Sequence, residues 1–203
     1  MGFSVKRLNK RETQHAKHFL YSVYAGQLNW LPQPDNPSGW AVERDEDGEY
    51  FDDIYNDTAR WFGVYDGGPL AASGRLLYPV GSKLEIELYD SIPDEFRGNG
   101  LSRVEMNRIA VDESYNGTEA LSLLFREMLL FVREHQIDCI FTAAPESTLP
   151  IIEDMNFRIL RSFKYAPEDT SPAYCAVFEA EDPDRITETL VKIDGKAYYL
   201  DFG

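Results

Sequence analysis

Residues 103–125 read RVEMNRIAVDESYNGTEALSLLF, and how this stretch folds decides the architecture. Val104, Met106, Ile109, Ala110 and Val111 form a short apolar run with the composition of a strand. Glu105 and Arg108 interrupt it. Burying an unpaired charge is costly, so each needs a partner or a task. They stand three apart, which in a regular strand sets them on opposite faces. Asn116-Gly117-Thr118 then makes a turn, and Thr118 can cap a helix. Leu121, Leu124, Phe125, Met128, Leu129, Phe131 and Val132 continue as the apolar stripe of that helix, to about His135.

Working outward, ARWFGVYD (59–66) and LAASGRLLYP (70–79) form a hairpin across the turn at Gly67-Gly68-Pro69. CIFTAA (139–144) is a buried strand, TLPIIEDM a helix beginning at Ser147 or Thr148, and FRILRSFKY (157–165) and AYCAVFEAE (173–181) are two more strands. Upstream, residues 11–30 have helical spacing through Phe19 and Val23. Residues 31–48, with three prolines and two glycines among acids, are expected to be a long loop. Residues 82–100 are mixed, with LEIELYDSIPDEF a strand or a short helix. The tail is expected to hold a short helix and then a hairpin turning at Asp194-Gly195. The order implies an α/β fold with a central mixed sheet flanked by helices. It divides as one domain over 1–182 with an extension, 183–203, packed on it.

The chain has 203 residues, enough for a real core in one domain. Its net charge of −15 argues against a nucleic-acid surface, which needs clustered Lys and Arg. No apolar run is long enough to span a bilayer. MGFSVKRLNKRETQH turns charged at once, unlike a signal peptide, and the two distant cysteines show no metal-ligand spacing. A reducing, cytoplasmic location is expected, with Cys139 a buried core thiol. No serine-hydrolase elbow surrounds Ser114 or Ser147, and the acids at 43–57 do not make a calcium-loop ladder.

The element order, VDESYNG before a helix, and IIEDMNF after a strand and helix resemble the GCN5-related N-acetyltransferases, whose GNAT-like (acyl-CoA N-acyltransferase) fold is expected here. At the loop that holds coenzyme A in that family, Asn116-Gly117-Thr118-Glu119 offers one glycine and an acid. The sequence resembles more narrowly the acyl-homoserine-lactone (autoinducer) synthases. Tyr24 and Trp30 in LYSVYAGQLNW, Asp53 and Tyr55 in FDDIYND, Arg75 in ASGRLLYP, and Glu105 and Arg108 in VEMNRIAV match that family's pattern in order. Leu20 and Asn56 stand where those synthases carry the arginine and aspartate that help bind S-adenosylmethionine. The relatives that keep the acyl-transfer core and change the amine include N-acyl amino acid synthases and the acyltransferases of exosortase systems.

The resemblance implies an N-acyltransferase with no tightly bound cofactor. Its donor would be a fatty acyl thioester of acyl carrier protein or coenzyme A, and its acceptor a small amine, an amino acid or a derivative. A bulge in the central strand would re-aim one of its two charges, and bulges recur beside active sites. Glu105 would then be the general base, with Arg108 and Arg75 beside it, and amides freed at the bulge would hold the oxyanion. Tyr24, Trp30, Asp53 and Tyr55 would meet the acceptor. The acyl chain would run along Met106, Phe141, Thr142, Met128 and Leu124, between the central strands and the long helix. Two other readings stay open: an ordinary acetyl-CoA-dependent N-acetyltransferase, and a binding module in which Glu105–Arg108 is a structural ion pair.

Overall fold

The computed structural model describes residues 2–90, 92–97 and 100–200. Nine strands and four α-helices are present among these residues. In chain order they are β1 (Phe3–Arg7), α1 (Lys10–Tyr21), β2 (Ala41–Asp45), β3 (Gly48–Asp52), β4 (Ala59–Asp66), β5 (Leu70–Leu77), β6 (Arg103–Val111), α2 (Ala120–Glu134), β7 (Cys139–Pro145), α3 (Leu149–Asp154), β8 (Arg158–Phe163), β9 (Ala173–Glu179) and α4 (Pro183–Ile193). Seven strands form one sheet in the order β1-β4-β5-β6-β7-β9-β8. All its pairs are antiparallel except β6 with β7.

Each face of the sheet buries its own core. On one face Leu121, Leu124, Met128 and Val132 of α2, Ile151 and Ile152 of α3, and Ile186 and Ile193 of α4 pack on Val104, Met106 and Ile140. On the other, Ala16 and Leu20 of α1 pack with Phe51, Tyr55, Leu77 and Phe141. The apolar stripe read in the long helix is the first of these contacts. Asn9 caps α1, accepting from the backbone of Arg11 and Glu12, and α1 runs on into a π-helical stretch, Ser22–Gln27. α2 begins two residues after Thr118, whose hydroxyl accepts from Ala120 N at 3.2 Å.

The structure departs from the sequence reading in three places and, in the 82–100 region, settles an open alternative in favour of short helical turns. Phe3–Arg7 is an edge strand where no element was expected. Much of the expected loop 31–48 is the start of a separate β2–β3 hairpin, paired Asp45 with Gly48. β2 is exposed along its whole length, so it lacks the apolar alternation that marks a strand. The 82–100 region holds two 3₁₀ turns, Glu85–Leu88 and Asp94–Arg97. The tail has no hairpin at Asp194-Gly195: Val191–Ile193 is the last turn of α4, because Ile186, Thr189 and Ile193 bury one helical face. The segment beyond it lies extended against the loop before α2. There Gly117 N–H donates to Tyr198 O at 3.0 Å, and Asn116 exchanges side-chain hydrogen bonds with both backbone groups of Leu200.

Candidate active site

β6 alternates regularly at first. Val104 and Met106 face α2, and Glu105 and Asn107 face α1. The pairing with β5 then slips between Ser73 and Arg75, so that Arg108 and Ile109 together stand opposite Gly74. Arg108 takes a φ of 54°, a left-handed conformation that is costly for a side chain of its size. This is the bulge expected in this strand. It turns Arg108 to the α1 side, directly after Asn107, and thus onto the face that Glu105 occupies. Gly74 permits the close approach, since a Cβ there would lie 2.4 Å from Ile109 Cδ1 and 2.9 Å from Met128 Cε.

β6 and β7 pair at only three positions, ending at Glu105 with Phe141. Beyond this the strands part, and Thr142 Oγ1 donates to the carbonyl of Met106 at 2.9 Å. Glu105 therefore sits at the apex of a splay in the sheet.

A buried ionic network fills the α1 side of this apex. Arg75 is fully buried and spends every guanidinium nitrogen: Nε on Asn107 Oδ1 (2.8 Å), Nη1 on Asp53 Oδ1 (3.0 Å) and Asn56 Oδ1 (2.7 Å), Nη2 on Asp53 Oδ2 (2.7 Å) and Glu85 Oε2 (3.3 Å). Arg108 Nη2 reaches Glu85 Oε1 at 2.5 Å and Asp53 Oδ2 at 3.3 Å. Asn107 Nδ2 links Glu85 (2.7 Å) to Glu105 Oε1 (3.1 Å). Glu105 Oε2 accepts from Ile86 N at 2.8 Å. Among the described residues, Glu105 is the one carboxylate of the three with no guanidinium at ion-pair distance.

The two ends of the network titrate in opposite directions. Burial, and then the charge of Glu85, push the Glu105 carboxyl up to about 8, against the hydrogen bonds from Ile86 and Asn107. Burial works to raise Asp53 too, but Arg75 and Arg108 outweigh it and hold that carboxyl down to about 2. An aromatic wall covers Arg108. Its Cζ lies 3.4 Å from the centre of the Trp40 ring. Trp40 packs on Trp30 at 4.6 Å and Phe51 at 5.1 Å. Tyr24 sits edge-on to both tryptophans and donates its hydroxyl to Ile109 O, at the bulge, over 2.8 Å. Burial raises that hydroxyl to about 12, so it remains a donor.

Solved structures share this fold. FeeM, an N-acyl amino acid synthase from uncultured soil microbes, superposes with a TM-score of 0.66 at 18% identity, covering 94% of this chain and 97% of its own. The fold is that of the GCN5-related N-acyltransferases. BjaI, a CoA-dependent acyl-homoserine lactone synthase with SAM and isopentyl-CoA, has a TM-score of 0.66 at 14% identity over 95% of this chain and 90% of that one. An acyl-CoA N-acyltransferase from Pseudomonas aeruginosa has a TM-score of 0.54 at 14% identity, over 87% and 97% of the two chains. No family model matches the sequence, and no curated protein does.

Within this GNAT fold the residues singled out in the sequence divide into groups. Glu105, Arg108, Arg75 and Asp53 converge in the network. Tyr24 and Trp30 form the aromatic wall, with Trp30 42% exposed at its outer edge. Tyr55 is buried in the α1-side core. The expected acyl path does not stay on one side of the sheet. Met106, Leu124 and Met128 belong to the α2-side core, whereas Phe141 lies on the α1 side against Phe96, because neighbouring residues of a strand face opposite ways.

Sequence reasoning missed Glu85, Asn107 and Trp40. Glu85 alternates with apolar neighbours in LEIEL, as an exposed strand residue would. Trp40 follows a run rich in proline, and its place over Arg108 depends on Asn36, which clasps both backbone groups of Trp40 at 2.8 and 2.7 Å. Asn107 alone carried a usable signal, since it lies between the two charges already in question.

Proposed function

We propose that the protein is an N-acyltransferase that moves a fatty acyl group from a thioester to the amine of an amino acid or amino-acid derivative. The observation that carries this is Glu105: a buried, unpaired carboxylate at the apex of the β6–β7 splay, lifted to about 8. A base near neutrality suits an ammonium that must lose its proton before it can attack. The acceptor approaches from the α1 side, past Trp30 and Tyr24. Its nitrogen attacks the thioester carbonyl carbon and Glu105 takes the proton. The N–C bond forms, the C–S bond breaks, and the departing thiolate takes up the second proton that the amine nitrogen loses as it becomes an amide. Backbone N–H groups at the bulge meet the oxyanion. Arg75 and Arg108, neutralised by Asp53, hold Glu85, and Arg75 also fixes Asn107, which with the Ile86 N–H holds Glu105. The acyl chain lies along Leu124 and along Met106 and Met128, whose thioethers repack readily, with Phe141 and Thr142 bordering the splay. FeeM and BjaI support the reading, since the one is an N-acyl amino acid synthase and the other an acyl-homoserine lactone synthase.

The donor is a fatty acyl thioester of acyl carrier protein or of coenzyme A. One observation weighs against coenzyme A as the carrier, whether of an acetyl or of a fatty acyl group. The Gly117 amide, in the loop before α2, is occupied by Tyr198 O, and Glu119 stands at the head of the helix. A nucleotide pyrophosphate there would have to displace the tail and face a carboxylate.

Expression in a bacterium that makes no such compounds, followed by solvent extraction and mass spectrometry, tests the proposal. New N-acylated products are expected with wild type and not with Glu105→Gln, which keeps the side chain's shape but replaces one accepting oxygen with an NH2 that cannot take a proton. Equal yield from the variant removes Glu105 as base. Purified protein that acylates no amine from either thioester overturns the function.

A further inference from the structure

The network has two unfilled ends on the same face. Glu105 is a carboxylate without a cation. At the other end, two buried N–H donors find no acceptor: Arg108 Nε and Trp40 Nε1. They are close together, because the guanidinium carbon of Arg108 lies 3.4 Å from the Trp40 ring centre. The other unpaired indole of this face, Trp61 Nε1, lies by Arg75 instead. Buried donors are paired as a rule, and leaving one unmet costs its full desolvation. Arg108 is not short of acceptors through crowding, since its Nη2 has two carboxylates. Its Nε has no acceptor among the described residues. The strained backbone at Arg108 and the Asn36 clasp on Trp40 both hold this pair of donors in place.

A single group satisfies both donors if it offers two oxygens in a plane, and a carboxylate does so with charge assistance. The free cation at the Glu105 end is then the ammonium of the same molecule. We infer that the acceptor is an α-amino acid with a free carboxylate, bound with that carboxylate across Arg108 Nε and Trp40 Nε1 and its amine toward Glu105. Carboxyl-blocked amines, such as amino-acid amides and homoserine lactone, offer one neutral carbonyl oxygen in place of two charged ones, so they leave one donor unmet and the other without charge assistance, and are poor acceptors. This rests on the acyltransferase reading.

The test uses the full chain with decanoyl-carrier protein and decanoyl-CoA supplied in parallel. Each standard amino acid is offered as the free acid and as its amide, with homoserine lactone alongside. Product is read by mass spectrometry and acceptor binding by calorimetry. For the preferred side chain, kcat/KM for the free acid should exceed that for the amide by roughly 100-fold, the worth of two charge-assisted bonds. Trp40→Phe keeps a ring against Arg108 but removes the N–H. It should shrink that ratio by about 10-fold, mainly through KM for the free acid. If amides or homoserine lactone are acylated as well as free acids, the carboxylate site is wrong and the acyltransferase stands. If free acids bind, amides do not, and nothing is acylated, the site stands and the acyltransferase falls. If the Trp40→Phe ratio matches wild type, Trp40 has no part in recognition and the site as drawn is overturned.

Discussion

Glu105 and Asp53 are carboxylates of one network with opposite titration, and the difference sets how stability depends on pH. Glu105 is raised from an ordinary 4.5 to about 8, so the folded state holds a proton that the unfolded state releases. Its contribution is complete below about 4.5 and is lost as pH climbs through 8. Asp53 is lowered from 3.8 to about 2, so its contribution is complete above 3.8 and is lost as pH falls toward 2. Denaturant unfolding of wild type should therefore lose stability between pH 5 and 8.5, on the order of a few kcal/mol. Glu105→Gln carries no proton to lose and should be nearly flat over the same range. A variant that keeps the wild-type slope would assign the effect to another group. Sequence made this residue legible because a charge inside an apolar run is conspicuous. It could not show Glu85, whose acid–apolar surroundings resemble a half-exposed strand and whose burial comes only from the fold.

At the scale of elements, the bulge is the device that puts Asn107 and Arg108 on one face. Its requirement is visible in the partner strand. A methyl on Gly74 would sit 2.4 Å from Ile109 Cδ1 and 2.9 Å from Met128 Cε. Both are side-chain tips, so repacking is open to them, and Gly74→Ala should cost about 1–3 kcal/mol rather than abolish folding. The shift of Ile109 would also disturb the strand at Arg108, so acyl transfer should fall by more than the lost stability explains. Urea unfolding together with kcat at saturating donor checks both. Unchanged activity in a destabilised variant would separate the bulge from function. Apart from the half-exposed edge strand β1, the strands and helices of the main sheet were legible from apolar periodicity, because both faces of that sheet are covered. β2 was not, since all five of its residues are exposed and only the pairing with β3 makes it a strand. The tail was misread for a related reason. Asp194-Gly195 does turn the chain, with Lys196 N–H donating to Ile193 O at 3.1 Å, but the burial of Ile193 keeps the residues before it helical, and Leu200 finds its partner 84 residues away in Asn116.

For the whole molecule, the net charge of −15 lies almost entirely outside the network, which contributes three acids against two arginines. The excess is therefore a surface property. Exposed ion pairs such as Lys6–Glu12 return little stability, while unmatched surface carboxylates repel one another. Screening acts on these charges and scarcely on the buried ones: the Debye length falls from about 10 Å at 0.1 M salt to about 3 Å at 1 M. Raising KCl from low to molar concentration at pH 7 should thus increase the midpoint of thermal unfolding. Relief of one to two kcal/mol of repulsion corresponds to roughly 2–8 °C for a chain of this size. Glu105→Gln should show the same increase as wild type, because its site is out of reach of the salt. A midpoint that falls with KCl would mean that surface pairs outweigh repulsion. An increase confined to wild type would mean that the network, not the surface, feels the ions, and Glu105 would then be open to solvent in a way its burial forbids.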